Sequence, residues 1–124
     1  MDAGGLSALT GQRARLAELR SRGLWPAEVP SVVLVEALTG DHRRDFHTNR
    51  LLKACQVRDV DETQAREAAR LRTATGRARS ISAVDAVVAA VAAQGSEATV
   101  LTSDPKDLLA LAEHASNSVI VVKV

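Results

Sequence analysis

The stretch SAVDAVVAAVAAQGSEATVLTSD, from Ser82 to Asp104, decides the fold. Its first half is almost entirely alanine and valine and ends at Gly95, which predicts a central helix that is apolar nearly all round. Its second half, EATVLTSD, predicts a short buried strand. A carboxylate, Asp85, interrupts this apolar helix. Burying an unpartnered charge costs on the order of several kcal/mol, so a partner or a metal ion must offset that cost.

The rest of the chain repeats this alternation of helix and strand. VPSVVLVEALTG is ambiguous, because its β-branched residues favour a strand while Pro30-Ser31 and Gly40 are typical of a capped helix. We predict a strand ending near Val29 and a short helix from Ser31 to Thr39. Further helices are predicted in DAGGLSAL, GQRARLAELRSRG, DFHTNRLLKA, DETQAREAARLRTATG and PKDLLALAEHA, and further strands in CQVRDV and SVIVVKV.

Strands that alternate with helices predict a parallel sheet covered on both faces. The expected fold class is therefore α/β, a three-layer α/β/α sandwich with a central, mostly parallel sheet. No linker or repeat divides the 124 residues, so we expect one domain over residues 1–124.

Composition narrows the class of protein. No apolar run approaches the roughly 20 residues of a membrane span, and no signal peptide is recognisable, so we expect a cytoplasmic protein without a membrane partner. A single cysteine, Cys55, excludes an internal disulfide framework. Net charge is +1, but residues 1–80 hold 14 Lys and Arg against 10 acids. Such arginine clusters are typical either of solvated helix faces or of phosphate contacts.

Four carboxylates stand where an α/β sheet places its ligands, beyond the carboxyl ends of the strands. Asp104 follows a strand, and Asp85 lies in the first turn of a helix. Glu36 lies inside the apolar run VVLVEAL, and Asp2 precedes two glycines that permit a tight turn.

Each acid also has a simpler explanation. Asp85 could close a capping box with Ser82, and Asp104 could cap the helix after Pro105. Asp2 could be a frayed terminal residue, and Glu36 a paired core glutamate. Together, however, four acids near strand ends or helix starts indicate a shared divalent cation, because carboxylate oxygens suit Mg²⁺ or Mn²⁺. Without a cation, such like charges would raise one another's pKa values.

The ordered motifs DAGGLSAL, VPSVVLVEALTG, SISAVDAVVAAVAAQ and ATVLTSDPKDLLAL resemble those of PIN-domain ribonucleases, most closely the VapC-type toxins of bacterial toxin–antitoxin pairs. The resemblance implies that Asp2, Glu36, Asp85 and Asp104 are catalytic residues that bind Mg²⁺ or Mn²⁺, with Asp107 as a candidate fifth ligand. Thr102 and Ser103 match the polar residues that often precede the last acid. The resemblance also implies a structured RNA substrate such as tRNA or rRNA, a homodimer, and inhibition by a cognate antitoxin protein.

One feature departs from that family, in which an apolar strand delivers the first aspartate to the site. Only Met1 precedes Asp2, so we expect the first strand to be truncated. The main hypothesis is a metal-dependent endoribonuclease toxin that uses water as the nucleophile. One alternative is a catalytically impaired PIN-like protein that acts by binding an antitoxin or RNA. Another is a receiver-like phosphoacceptor domain, for which Lys123 would be the late-strand lysine.

Overall fold

The helix predicted after Ser82 lies at the centre of the structure. In the computed structural model, which describes all 124 residues, this helix packs against the longest helix, against two strands and against the last helix. Its inward face, Ala86, Val88, Ala89 and Ala90, is buried. Small side chains allow this close approach on several sides, so an alanine-rich helix can occupy the centre of a small domain.

The order of elements confirms the predicted α/β class. The helices are α1 (Ala3–Leu9), α2 (Arg13–Ser21), α3 (Leu34–Ala37), α4 (Phe46–Leu52), α5 (Glu62–Ala74), α6 (Ala83–Ala92) and α7 (Lys106–Ala112). The strands are β1 (Glu28–Pro30), β2 (Gln56–Arg58), β3 (Glu97–Thr102) and β4 (Ser118–Lys123). In the ambiguous segment, β1 is followed by a 3-10 turn (Ser31–Val33) and then by α3, so the predicted strand and short helix are confirmed, although the helix ends at Ala37.

The strands are parallel, as predicted, but they form two separate pairs. β1 pairs with β2, and β3 pairs with β4. A cleft of about 390 Å³ lies between the pairs, bordered by β1, β3 and one side of α6. The predicted single central sheet is therefore divided, because no strand hydrogen-bonds to both β1 and β3.

The first two residues lie at one end of that cleft. The amino group of Met1 donates to the carbonyl oxygen of Glu28 in β1 at 2.9 Å, and the amide of Asp2 donates to Leu101 in β3 at 3.4 Å. α1 begins directly after Asp2, which is its N-cap.

A single hydrophobic core joins both strand pairs to the helices. Leu6 and Leu9 of α1, Leu71 of α5, and Leu108 and Leu111 of α7 are almost completely buried in it. No buried side-chain nitrogen or oxygen lacks a hydrogen-bond partner. Every helix is too short or too polar to span a lipid bilayer.

α1 approaches β3 so closely that a side chain is excluded at Gly5. A β-carbon at this position would lie 2.5 Å from the backbone carbonyl oxygen of Leu101. At Gly4 a β-carbon would instead meet the hydroxyl of Ser103, an exposed side chain that can rotate away. The two neighbouring glycines therefore differ in what a methyl group would displace.

We predict that Gly5→Ala lowers the free energy of unfolding by about 1–3 kcal/mol, because the backbone of β3 or α1 must shift to admit the methyl group. Gly4→Ala is the matched control and should be neutral or slightly stabilising, since alanine favours a helix over glycine by about 1 kcal/mol. Urea unfolding monitored by circular dichroism measures both. Equal stability of the two variants would contradict the close approach of α1 to β3.

Candidate active site

Asp2 lies beyond the end of β3 and is 8 % exposed. Its Oδ1 accepts a hydrogen bond from the amide of Gly5 at 2.7 Å, so it is the N-cap of α1. Its Oδ2 accepts a hydrogen bond from the hydroxyl of Thr102, the last residue of β3, at 2.6 Å. The interpretation of Asp2 as a frayed terminal residue is therefore wrong, because both carboxylate oxygens are held.

Glu36 reaches the same region from α3. The single turn of α3 packs against α1, and both Glu36 and its neighbour Val35 are exposed. Glu36 forms no ion pair: the structure's five salt bridges involve other carboxylates. The interpretation of Glu36 as a paired core glutamate is wrong, because α3 is too short for its apolar run to be buried all round.

Asp85 lies in the first turn of α6 and is half-buried. Its amide donates to the hydroxyl of Ser82, the N-cap, at 3.0 Å, which is one half of a capping box. This local role does not account for the other acids near Asp85, which come from distant parts of the sequence.

Burial raises the pKa of Asp85 above its ordinary value. The negative charges of Asp2, Glu36 and Asp107 raise it further, whereas a hydrogen bond with the Ser82 hydroxyl lowers it. Three acids from separate parts of the sequence thus lie near enough to Asp85 to repel its charge. This is the electrostatic strain that a divalent cation would relieve.

The two acids after β3 are placed differently. Asp104 is exposed, and its amide donates to the Thr102 hydroxyl at 3.1 Å. Its side chain makes one long hydrogen bond at the start of α7, in which Oδ1 accepts from the amide of Lys106 at 3.4 Å. The residue directly before α7 is Pro105, which makes no side-chain capping bond. Asp107, in the first turn of α7, is partly buried, and its Oδ1 accepts a hydrogen bond from Nη2 of Arg77 at 2.8 Å. Asp107 is among the acids whose charge raises the pKa of Asp85.

The sequence interpretation missed a further acid, Asp45, which is buried between α3 and α4. Its carboxylate accepts hydrogen bonds from the amides of Thr39 and Gly40 and from the Thr39 hydroxyl. These bonds, the Thr39 amide foremost, lower the pKa of Asp45. The acid thereby fixes the loop that follows Glu36. The spacing TGDHRRD, with a turn between the threonine and the second aspartate, is the only sequence signal for it.

Cys55 offers no nucleophile. Burial raises the pKa of its thiol to about 11, so the reactive thiolate is scarce at neutral pH. His42, His47 and His114 lie on other segments and form no group with the acids. The chemistry of this region therefore rests on carboxylates and on neighbouring hydroxyl and guanidinium groups.

The acids around Asp85 and the neighbouring hydroxyl groups have the oxygen donors and the negative charge that a hard divalent cation requires. Carboxylate and hydroxyl oxygens are the ligands that Mg²⁺ and Mn²⁺ prefer, and the mutual repulsion at Asp85 favours an added positive charge. The side chains are not preassembled as a complete set: no three His, Cys, Asp or Glu side chains are grouped so that they could hold a metal ion. Asp2 and Asp85 are already oriented by the hydrogen bonds described above, whereas Glu36 and Asp104 are exposed.

We predict that Asp85→Asn stabilises the protein at pH 7 in the presence of EDTA. Because folding raises the pKa of Asp85, the folded state favours the protonated carboxyl. The contribution of Asp85 to folding stability is greatest at a pH below its ordinary pKa of 3.8. That contribution is lost as the pH rises through the higher pKa of Asp85 in the folded state. Solvent screening and the lost attraction to the helix N-terminus limit the gain to less than about 1 kcal/mol.

Thermal unfolding at pH 7 and pH 3 measures this difference, which should disappear at the lower pH. Glu62→Gln is the matched control, since Glu62 also lies in the first turn of a helix but is exposed and paired with Arg66 at 3.1 Å. It should give no stabilisation at pH 7. A loss of stability in Asp85→Asn at pH 7 would contradict the repulsion among the acids.

Comparison with known proteins supports this fold. The family model of the PIN domain matches residues 8–114, a range that contains Glu36, Asp85, Asp104 and Asp107 but not Asp2. No curated protein matches the sequence. The parallel strands, the helix order and the match over most of the chain place this protein in the PIN domain family.

Proposed function

We propose that this protein is an endoribonuclease that depends on Mg²⁺ or Mn²⁺, with Asp2, Glu36, Asp85 and Asp104 as its metal ligands. The observation that carries the proposal is the placement of Asp2, Glu36 and Asp107 around Asp85, where each acid raises the pKa of the Asp85 carboxyl. PIN domains are generally metal-dependent nucleases, and commonly ribonucleases. The family therefore supports the reaction class, and the acids supply the chemistry.

The proposed reaction is hydrolysis of a phosphodiester. Water adds to phosphorus, one phosphorus–oxygen bond breaks, and the departing oxygen takes up a proton, which leaves a phosphomonoester and a free hydroxyl. When bound, a divalent ion lowers the pKa of water and offsets the charge that develops on the phosphate. No side-chain nucleophile is required, which agrees with the unreactive state of Cys55.

The chain's own residues would orient the carboxylates for this reaction. Thr102 and the Gly5 amide each donate to one oxygen of the Asp2 carboxylate. Each oxygen therefore keeps a second lone pair that could bind a cation. Ser82 caps α6 by accepting from the amide of Asp85, which fixes the backbone that carries this carboxylate. Rigid support of this kind is what keeps catalytic carboxylates in position between reaction cycles.

We predict that the protein cleaves RNA in Mn²⁺ and that Asp85→Asn lowers the rate at least about a hundredfold, since even groups that only orient a metal ligand are worth about 10–100-fold. Cleavage of a labelled structured RNA, followed on denaturing gels, measures the rate. Addition of EDTA should abolish it.

Glu62→Gln is again the control, because it removes a first-turn carboxylate on α5 that takes no part in the site. It should cleave at the wild-type rate. Equal rates for wild type and Asp85→Asn would reject the assigned role. Calorimetric titration that detects no Mn²⁺ binding, with RNA or protein-partner binding intact, would favour the alternative of a PIN-like binding protein.

The biological role that we propose is that of a VapC-type toxin, active as a homodimer on tRNA or rRNA and neutralised by a cognate antitoxin protein. Its support is the order and spacing of the four acidic motifs along the chain. Exposed apolar side chains, including Val35 and Phe46, are available to such protein partners.

We predict that induced expression in a bacterial host arrests growth, because cleavage of tRNA or rRNA stops translation, and that Asp85→Asn removes the arrest. Colony counts after induction measure the effect, with the amount of each protein checked by immunoblot. If wild type and Asp85→Asn arrest growth equally at equal amounts, the arrest does not depend on the proposed hydrolysis.

A further inference from the structure

Arg77 is the one arginine whose ion pair joins the acidic region to a distant segment. Its Nη2 donates to Oδ1 of Asp107 at 2.8 Å, between the loop before α6 and the first turn of α7. Three other arginine pairs connect neighbours on a single helix, at a spacing of three or four residues. The fourth connects Arg58 of β2 to Glu28 of β1, away from the acids.

The backbone around Arg77 is held as firmly as its side chain. Its amide donates to the hydroxyl of Thr75 at 3.1 Å, and its carbonyl oxygen accepts from the amides of Ser80 and Ile81 at 2.9 and 3.0 Å. Arg72 also donates to the carbonyl oxygen of Ile81 at 2.7 Å. The loop from α5 to α6 therefore presents Arg77 from a fixed position.

Asp107 connects the guanidinium to the acidic region. Its negative charge acts on Asp85, so the group that pairs with Arg77 is itself a neighbour of the acidic site. The Arg77 side chain is 39 % exposed. One of its five N–H groups is used by Asp107, which leaves donors free for an anion that approaches from solvent.

A phosphodiester needs such a group here. Carboxylates repel the phosphate backbone, whereas a guanidinium donates two parallel hydrogen bonds to phosphate oxygens. We propose that Arg77 binds a backbone phosphate of the RNA next to the acids, and that Asp107 is a positioning residue that holds it there. The inference rests on the proposed function, and it gives Asp107 a role other than that of a fifth metal ligand.

The test compares Arg77→Ala with Arg79→Ala. Arg79 lies in the same loop, is exposed and forms no ion pair, so it is the matched control for loss of one positive charge. Affinity for a labelled RNA is measured by fluorescence anisotropy in EDTA at several KCl concentrations. KM and kcat are then measured in Mn²⁺, and unfolding midpoints are recorded for every variant.

We expect Arg77→Ala to raise KM about tenfold with little change in kcat, and to reduce the slope of log affinity against log salt by about one. Arg77→Lys should keep the salt slope but recover only part of the affinity, because an ammonium lacks the paired donors. Asp107→Asn should raise KM while leaving the slope unchanged, since the arginine charge remains. Arg79→Ala should leave KM and slope at wild-type values.

Equal slopes and KM values for Arg77→Ala and Arg79→Ala would overturn the proposal, as would a change confined to the unfolding midpoint. Failure of the proposed function has a different signature. If the wild type does not cleave RNA in Mn²⁺, the nuclease assignment fails, while the salt slopes measured in EDTA still decide whether Arg77 contacts the phosphate backbone.

Discussion

Repulsion among carboxylates is the constraint on which the rest of this structure depends. Asp2, Glu36 and Asp107 all act on the half-buried Asp85, and burial adds to their effect on its pKa. A chain without a use for these charges would gain stability from amides or apolar groups at the same positions. The fold instead places the four acids at the starts of α1, α3, α6 and α7. At Asp2 a backbone amide and a hydroxyl group reduce the cost of the charge.

The local hydrogen bonds show how that cost is reduced. Asp2 accepts from the Gly5 amide and from Thr102, so a single carboxylate connects the start of α1 to the end of β3. Glycine at position 5 also allows α1 to lie this close to β3, because a β-carbon there would meet the Leu101 carbonyl oxygen. Sites that concentrate charge are generally supported by neighbouring rigid elements, and here Thr102, which holds Asp2, directly follows Leu101 of the hydrophobic core.

The sequence predicted the elements well because their signals are local. The capping box at the start of α5, in which Asp61 and Gln64 exchange hydrogen bonds, is readable from four residues, and so is the Ser82 cap of α6. Parallel pairing follows from alternation of helix and strand. The division of the strands into two pairs is not local, because it depends on whether a strand hydrogen-bonds to both β1 and β3.

The sequence predicted which acids form the candidate site, but it did not predict the different surroundings of each acid. Sequence spacing treats Asp104 and Asp107 alike, as two carboxylates around the start of α7. The backbone separates them: Asp104 precedes Pro105 in the loop and is exposed, with a long hydrogen bond from the Lys106 amide, whereas Asp107 lies on the first turn and meets Arg77. That arginine is 30 residues away, so no local pattern could have indicated the pair.

This separation gives the two acids different chemical possibilities. The guanidinium of Arg77 occupies part of the Asp107 carboxylate at 2.8 Å, whereas the exposed Asp104 carboxylate has only a long hydrogen bond, at 3.4 Å, from the Lys106 amide. Asp104 is thus the more available oxygen ligand, and Asp107 the better support for a positive side chain. If the site binds both a metal ion and RNA, as proposed above, the first turn of α7 and the loop before it supply one carboxylate for each role.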